Sequence, residues 1–146
     1  MKNIFGEMAV LFSYPQHFIM LFARLLLAYG FVHPSLLKLH DIEATSQWFE
    51  TMHIPLPQLL SYLVVGIEVL GIILLILGLF TRYISMLLFL VMLGAIFFVH
   101  LHNGFSVGNN GIEIPLYYLL FFMIFSTFGA GKYSLDSVIF KDKNHE

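Results

Sequence analysis

Glu68 and Arg24 each stand where a charge is expensive. Glu68 falls near the middle of a 22-residue apolar run, Leu59 to Phe80, and Arg24 falls inside another, Phe18 to Leu39. Runs of that length cross the hydrocarbon core of a bilayer as helices. A charge within one costs several kcal/mol unless it is paired, hydrated or protonated. With about 1.5 Å of rise per residue, Arg24 lies roughly 9 Å from one boundary and Glu68 roughly 14 Å from the other. The remaining depth difference is about 7 Å in a core of about 30 Å, which an extended arginine spans. Besides water-filled polar packing, two chemistries fit the pair. One is a buried charge pair that fixes helix register, since such pairs specify packing without adding stability. The other is a proton site at Glu68.

A second set of polar residues gathers towards one membrane face: His33, Lys38, His100, His102, Glu113 and Tyr117. Arg24, Phe31, Ser35 and Lys38 share a helical face, and His33 points elsewhere unless Pro34 bends the helix. His100 and His102 diverge by about 200° while helical. With no helical His-x-x-x-His in the chain, no metal site is expected. A polar ligand head group bound at headgroup depth would need one or two hydrogen-bonding groups and, if redox-active, a proton path. His100, Tyr117, Glu113 and Glu68 have that chemistry, since imidazoles and carboxylates exchange protons near neutral pH. The plainer reading has interfacial histidines satisfied by water, with Lys38 and His40 on lipid headgroups.

These residues need helices to position them, and the hydropathy supplies four spans, at about 18–39, 59–80, 83–101 and 114–131. On the second, Ser61, Val64, Glu68, Gly71 and Leu75 form one stripe, with glycines that allow close helix approach. Only Thr81-Arg82 separates the second and third spans, so these form a tight antiparallel hairpin. The 102–113 loop, rich in Gly and Asn, reads as an irregular turn. The longer first loop carries Glu43–Met52, read as an interfacial helix anchored by Trp48. Residues 1–15, with Ile4, Met8, Leu11 and Phe12 on one face, read either as a surface helix ended by Pro15 or as a frayed N-terminal tail. Residues 132–146 form a basic tail. The expected fold is all-α: one domain, a four-helix transmembrane bundle with both termini cytoplasmic.

Composition agrees. Of 146 residues 59% are hydrophobic and 11% charged, against about 45–50% and 25% for a soluble domain. The net charge of −2 argues against nucleic acid as a partner. Cysteine is absent, which removes disulfides and thiolate chemistry. Lys2, Arg82, Lys132, Lys141 and Lys143 fall on one side and Lys38 almost alone on the other. The positive-inside rule then places both termini in the cytoplasm.

In order and spacing several motifs resemble the DoxX family of bacterial membrane proteins. They are Ala23-Arg24-Leu25-Leu26, Leu37-Lys38-Leu39, Glu68-Val69-Leu70-Gly71, Leu77-Gly78-Leu79-Phe80-Thr81-Arg82, Ala95 through His100, and Phe128-Gly129-Ala130-Gly131-Lys132-Tyr133-Ser134-Leu135-Asp136. The resemblance runs from about Phe18 to Val138. One departure is His33-Pro34-Ser35, where members usually carry Gly shortly before the lysine. The resemblance implies a four-helix membrane fold and association with redox systems handling sulfur, thiols or oxidative stress, some of them quinone-linked. The leading expectation is therefore a membrane subunit of an oxidoreductase complex, binding quinone at a polar site open to the outer face, with lipid, a redox protein and other copies of itself as partners. A proton-coupled transporter is the first alternative, although the chain has no evident inverted repeat and few interrupted spans, the usual transporter signs. A non-catalytic anchor for soluble partners is the second.

Overall fold

The computed structural model describes residues 7, 8, 10 and 15–140. Ile4, Leu11 and Phe12 of the expected surface helix lie outside the described residues, as do Lys2, Lys141 and Lys143. The described chain is helical, without strands. Its main elements are α1 (Gln16–His40), α2 (Ile42–Thr51), α3 (Pro57–Leu77), α4 (Thr81–Ala95), α5 (Glu113–Phe128) and the short α6 (Leu135–Ile139). The α4 helix continues as a π turn, Ile96–His100, and a 3-10 turn, Leu101–Asn103. The α1 and α3 helices and the Thr81–Asn103 segment, of 25, 21 and 23 residues, are each long and apolar enough to cross a bilayer. The apolar α5 is shorter, at 16 residues.

Local chemistry sets the boundaries. Asp41 ends α1 and caps α2, its carboxylate accepting the Ala44 N–H at 2.9 Å. Pro57 opens α3, where its missing N–H costs nothing. The α3 helix stops at Leu77 rather than reaching Phe80. Gly78, at φ +64°, donates to Leu75 O, and Leu79 donates to Leu74 O at 3.0 Å, a Schellman ending. The hairpin turn is therefore Gly78–Phe80, and Thr81-Arg82 already belongs to α4. Likewise α5 ends at Phe128, ahead of Gly129 at φ +78°.

The α1–α3, α3–α4 and α4–α5 pairs pack side by side, and α2 lies on α3. Buried stripes meet at the centre: Leu27, Ala28 and Phe31 of α1, Leu75 of α3, Ile84 and Leu88 of α4, Phe122 and Phe125 of α5. Edge-on rings close α1 against α5, with Phe31 centred 5.1 Å from Tyr118 and 5.6 Å from Phe122. The helix faces away from this core carry Phe18, Phe22, Leu26, Tyr29, Leu70, Ile73 and Met86, all exposed. Large exposed apolar surface on every helix is what a lipid environment requires.

Candidate functional site

Arg24 and Glu68 do not form the charge pair that their depths allowed. Arg24 is fully buried at the end of the bundle that holds the α3–α4 turn. Its guanidinium donates to Leu75 O at 3.1 Å and to Tyr133 O at 2.5 Å. Leu75 supplies one of the carbonyls that the end of α3 leaves short of helical partners. A Cβ at Gly78 would lie 1.8 Å from Arg24 Nη1, so glycine there serves both the left-handed turn and the arginine. Asp136 completes the clasp. Its carboxylate accepts the Phe80 and Thr81 N–H groups at 2.7 and 3.0 Å, capping α4, while its own N–H donates to Gly78 O at 2.9 Å. The arginine thus ties α1, α3 and the segment after α5 together through carbonyls. Three buried polar atoms of this region, Arg24 Nε, Thr81 Oγ1 and Ser85 Oγ, have no protein partner.

Glu68 takes its partners from α1 at mid-bundle. It forms an ion pair with Lys38 Nζ and accepts the Ser35 hydroxyl at 3.1 Å. Helical spacing makes this possible, because Ser35 and Lys38 are three residues apart on one face. The Lys38 side chain is 25% exposed and that of Glu68 1%. Lys38 therefore meets the open space and Glu68 stands behind it.

That open space is a cavity of about 680 Å³ among all five longer helices and the 104–112 loop. Apolar side chains dominate its lining: Phe31 of α1, Trp48 and Phe49 of α2, Leu63 and Ile67 of α3, and Leu90 and Phe98 of the α4 segment. Its polar lining includes Lys38, Glu68, His100 and Tyr118. A cavity of this size with an apolar wall and a few convergent polar groups is the usual form of a small-molecule site. The π turn that carries Phe98, Val99 and His100 inserts one extra residue per turn and turns the end of the α4 segment, a device frequent at functional sites.

His100 is oriented by the loop. Its Nδ1 lies 2.8 Å from Asn110 O, so Nδ1–H donates there and the neutral ring keeps an acceptor at Nε2. Asn103 Nδ2 bonds the same carbonyl at 3.3 Å. Glu113 instead organises the loop, accepting Val107 N–H at 3.0 Å and the Tyr117 hydroxyl at 3.4 Å. Gly111 lets two backbones cross, since a Cβ would come 2.5 Å from Gly104 O. Of the expected site residues, then, Lys38, Glu68 and His100 line one cavity. His33, His102, Glu113 and Tyr117 do not. His33 is exposed on the far side of α1, beside Leu36, Leu37 and His40.

Sequence reasoning passed over Tyr118, Ser35 as a ligand of Glu68, and Asp136. Tyr118 was within reach. Pro115, Tyr118, Phe122 and Phe125 recur at a helical spacing of three and four, and three of them are buried while Tyr118 is half-buried. Tyr117 lies off that stripe and is exposed. The Tyr118 hydroxyl sits against Gly30, where a Cβ would come within 1.9 Å of it. Gly30 is also the residue whose carbonyl Pro34 leaves without its helical donor.

The family model for DoxX matches residues 19–101, which hold Arg24, Lys38, Glu68 and His100. Two Haemophilus influenzae proteins described as uncharacterized are similar. One is 36% identical over 55% of this chain and 53% of its own length. The other is 46% identical over 51% of this chain and 58% of its own length. The chain thus matches little more than half of each. A Bacillus subtilis protein named "Putative oxidoreductase CatD" is 35% identical over 79% of this chain and 81% of its own length. No solved structure matches.

Proposed function

Because the chain belongs to the DoxX family, we propose that it is the membrane component of a redox system and that its cavity binds a quinone head group. The observation that carries this reading is the apolar cavity of about 680 Å³ with Lys38, Glu68 and His100 on its wall. The printed name of the Bacillus relative supports the redox class. A bound quinone supplies a two-electron, two-proton couple.

The chain's own groups suit such a head. Lys38 gives one N–H to Glu68 and keeps others for a carbonyl oxygen. Ser35 holds the second carboxylate oxygen of Glu68, so the carboxylate stays aimed at Lys38. His100 Nε2, freed by the Asn110 carbonyl, takes or returns a proton. Trp48 and Phe49 of α2 add aromatic surface to the cavity wall. In this reading both termini are cytoplasmic, following the lysine and arginine distribution, and the cavity end faces the outer side of the bacterial inner membrane.

The test is to purify the protein in lipid nanodiscs, extract and identify any quinone, and record redox difference spectra with added ubiquinone. Bound quinone with a signal lost in Glu68→Gln or His100→Ala is the expected result. A quinone-free preparation that also fails to bind added quinone removes the reading.

A further inference from the structure

We infer that the cavity is reached sideways from the bilayer, through a gap between α3 and α4, and takes a single-chain amphiphile with an uncharged, oxygen-bearing head. The inference rests on the reading of the cavity as a ligand site, but not on the ligand being a quinone. The two helices are tight near their turn, where a Cβ on Gly71 would come within 2.8 Å of Leu88 Cδ1. Further along they part. Gly94 lines the cavity, yet a Cβ there would meet nothing within 4 Å.

The rim of the gap is made by residues that line the cavity and are also exposed: Leu63 at 50%, Leu87 at 42% and Leu90 at 59%. Leu63 lies six residues inside α3, about 9 Å from its start, and Leu90 is deeper still in its own helix. Both therefore sit at hydrocarbon depth, where no water-soluble ligand arrives. The roof is built differently, by Trp48 and Phe49 of α2 and by Asn110 and Gly111 of the loop, with Phe49 and Gly111 buried. A hydrocarbon chain in the gap leaves its head among the polar groups of the wall. There Lys38 and Glu68 cancel to zero net charge, and the spare N–H groups of Lys38 face the cavity. A phosphate would find no uncompensated cation at this pair, whereas a carbonyl or hydroxyl oxygen finds a donor.

The chain lacks cysteine, so Gly94→Cys and Leu90→Cys each carry a single thiol for a nitroxide label. The labelled proteins are placed in phosphatidylcholine nanodiscs and relaxed by oxygen, which concentrates in lipid, or by a water-soluble nickel chelate. Gly66→Cys is the lipid reference, on an exposed face of α3 with open space around it. Asn110→Cys is the water reference. Oxygen sensitivity at Gly94→Cys and Leu90→Cys like that of Gly66→Cys, with no nickel effect, is expected. Nickel sensitivity at the level of Asn110→Cys, or insensitivity to both agents, overturns the sideways route.

Added monoacylglycerol or decyl-ubiquinone is expected to abolish the oxygen effect at the rim position, Leu90→Cys, while leaving Gly66→Cys unchanged. Shielding by lysophosphatidate alone overturns the assignment of an uncharged head. Shielding by monoacylglycerol without shielding by decyl-ubiquinone supports this inference and removes the quinone reading.

Discussion

The Lys38–Glu68 pair predicts an asymmetric double-mutant cycle. Replacing Lys38 with Met strands a carboxylate whose side chain is 1% exposed, leaving Ser35 as its one partner among the described residues. Breaking a buried pair from that side costs about 3–5 kcal/mol. Replacing Glu68 with Gln is milder. The amide keeps the Ser35 contact, and the lysine, 25% exposed, turns into the cavity; the loss is about 1–3 kcal/mol. The double variant Lys38→Met/Glu68→Gln removes both charges at once. Its loss should fall short of the sum of the single losses by about 1–3 kcal/mol, the coupling expected of residues in direct contact. The assay is reversible unfolding in mixed micelles, followed by the fluorescence of Trp48, the one tryptophan in the chain. Additivity within about 0.5 kcal/mol would refute the pair. The same variants made at Arg24 and Glu68 should be additive, because those side chains serve separate sites.

Three further outcomes follow from the geometry. Gly94→Leu should intrude into the cavity and weaken quinone binding without loss of stability, whereas Gly66→Leu, equally unhindered but outside the cavity, should bind as the wild type does; equilibrium titration of added decyl-ubiquinone separates them. Gly78→Ala should be far more harmful than Gly71→Ala. It adds about 1–2 kcal/mol of left-handed strain and displaces Arg24 from carbonyls whose charged hydrogen bonds contribute about 1.5–3 kcal/mol each. Overpacking Leu88 at Gly71 costs about 1–3 kcal/mol, and unfolding measured side by side gives the order. Asp136→Ala should cost about 0.5–2 kcal/mol, as loss of a helix cap does. Hydrogen exchange should then accelerate at the Phe80 and Thr81 amides before other amides of α4; uniform acceleration would count against the cap.

The membrane class, the four apolar helices and the helix between the first two were legible from composition and hydropathy, because these are local and additive properties of the chain. The buried stripes of α1 and α3 were legible too. Ser61, Glu68, Gly71 and Leu75 are buried as their helical spacing implies, although Val65 replaces Val64 between them. The approximate depths of Arg24 and Glu68 follow from counting residues. Their partners do not. Depth is one coordinate, and the choice among Arg24, Lys38 and Ser35 for Glu68 depends on how α1 is rotated and how α3 leans against it. Arg24 was claimed instead by carbonyls at the end of α3 and by Tyr133, 109 residues away in the chain. The same holds for the histidines and tyrosines. A single π turn decides whether His100 or His102 reaches the cavity, and the rotation of α5 selects Tyr118 over Tyr117. The sequence by itself determined that the chain lives in lipid and that its polar groups must find partners there, since hydrocarbon offers none. Only the packing of the helices decided which partners those are, because pairing requires two surfaces and each helix carries one.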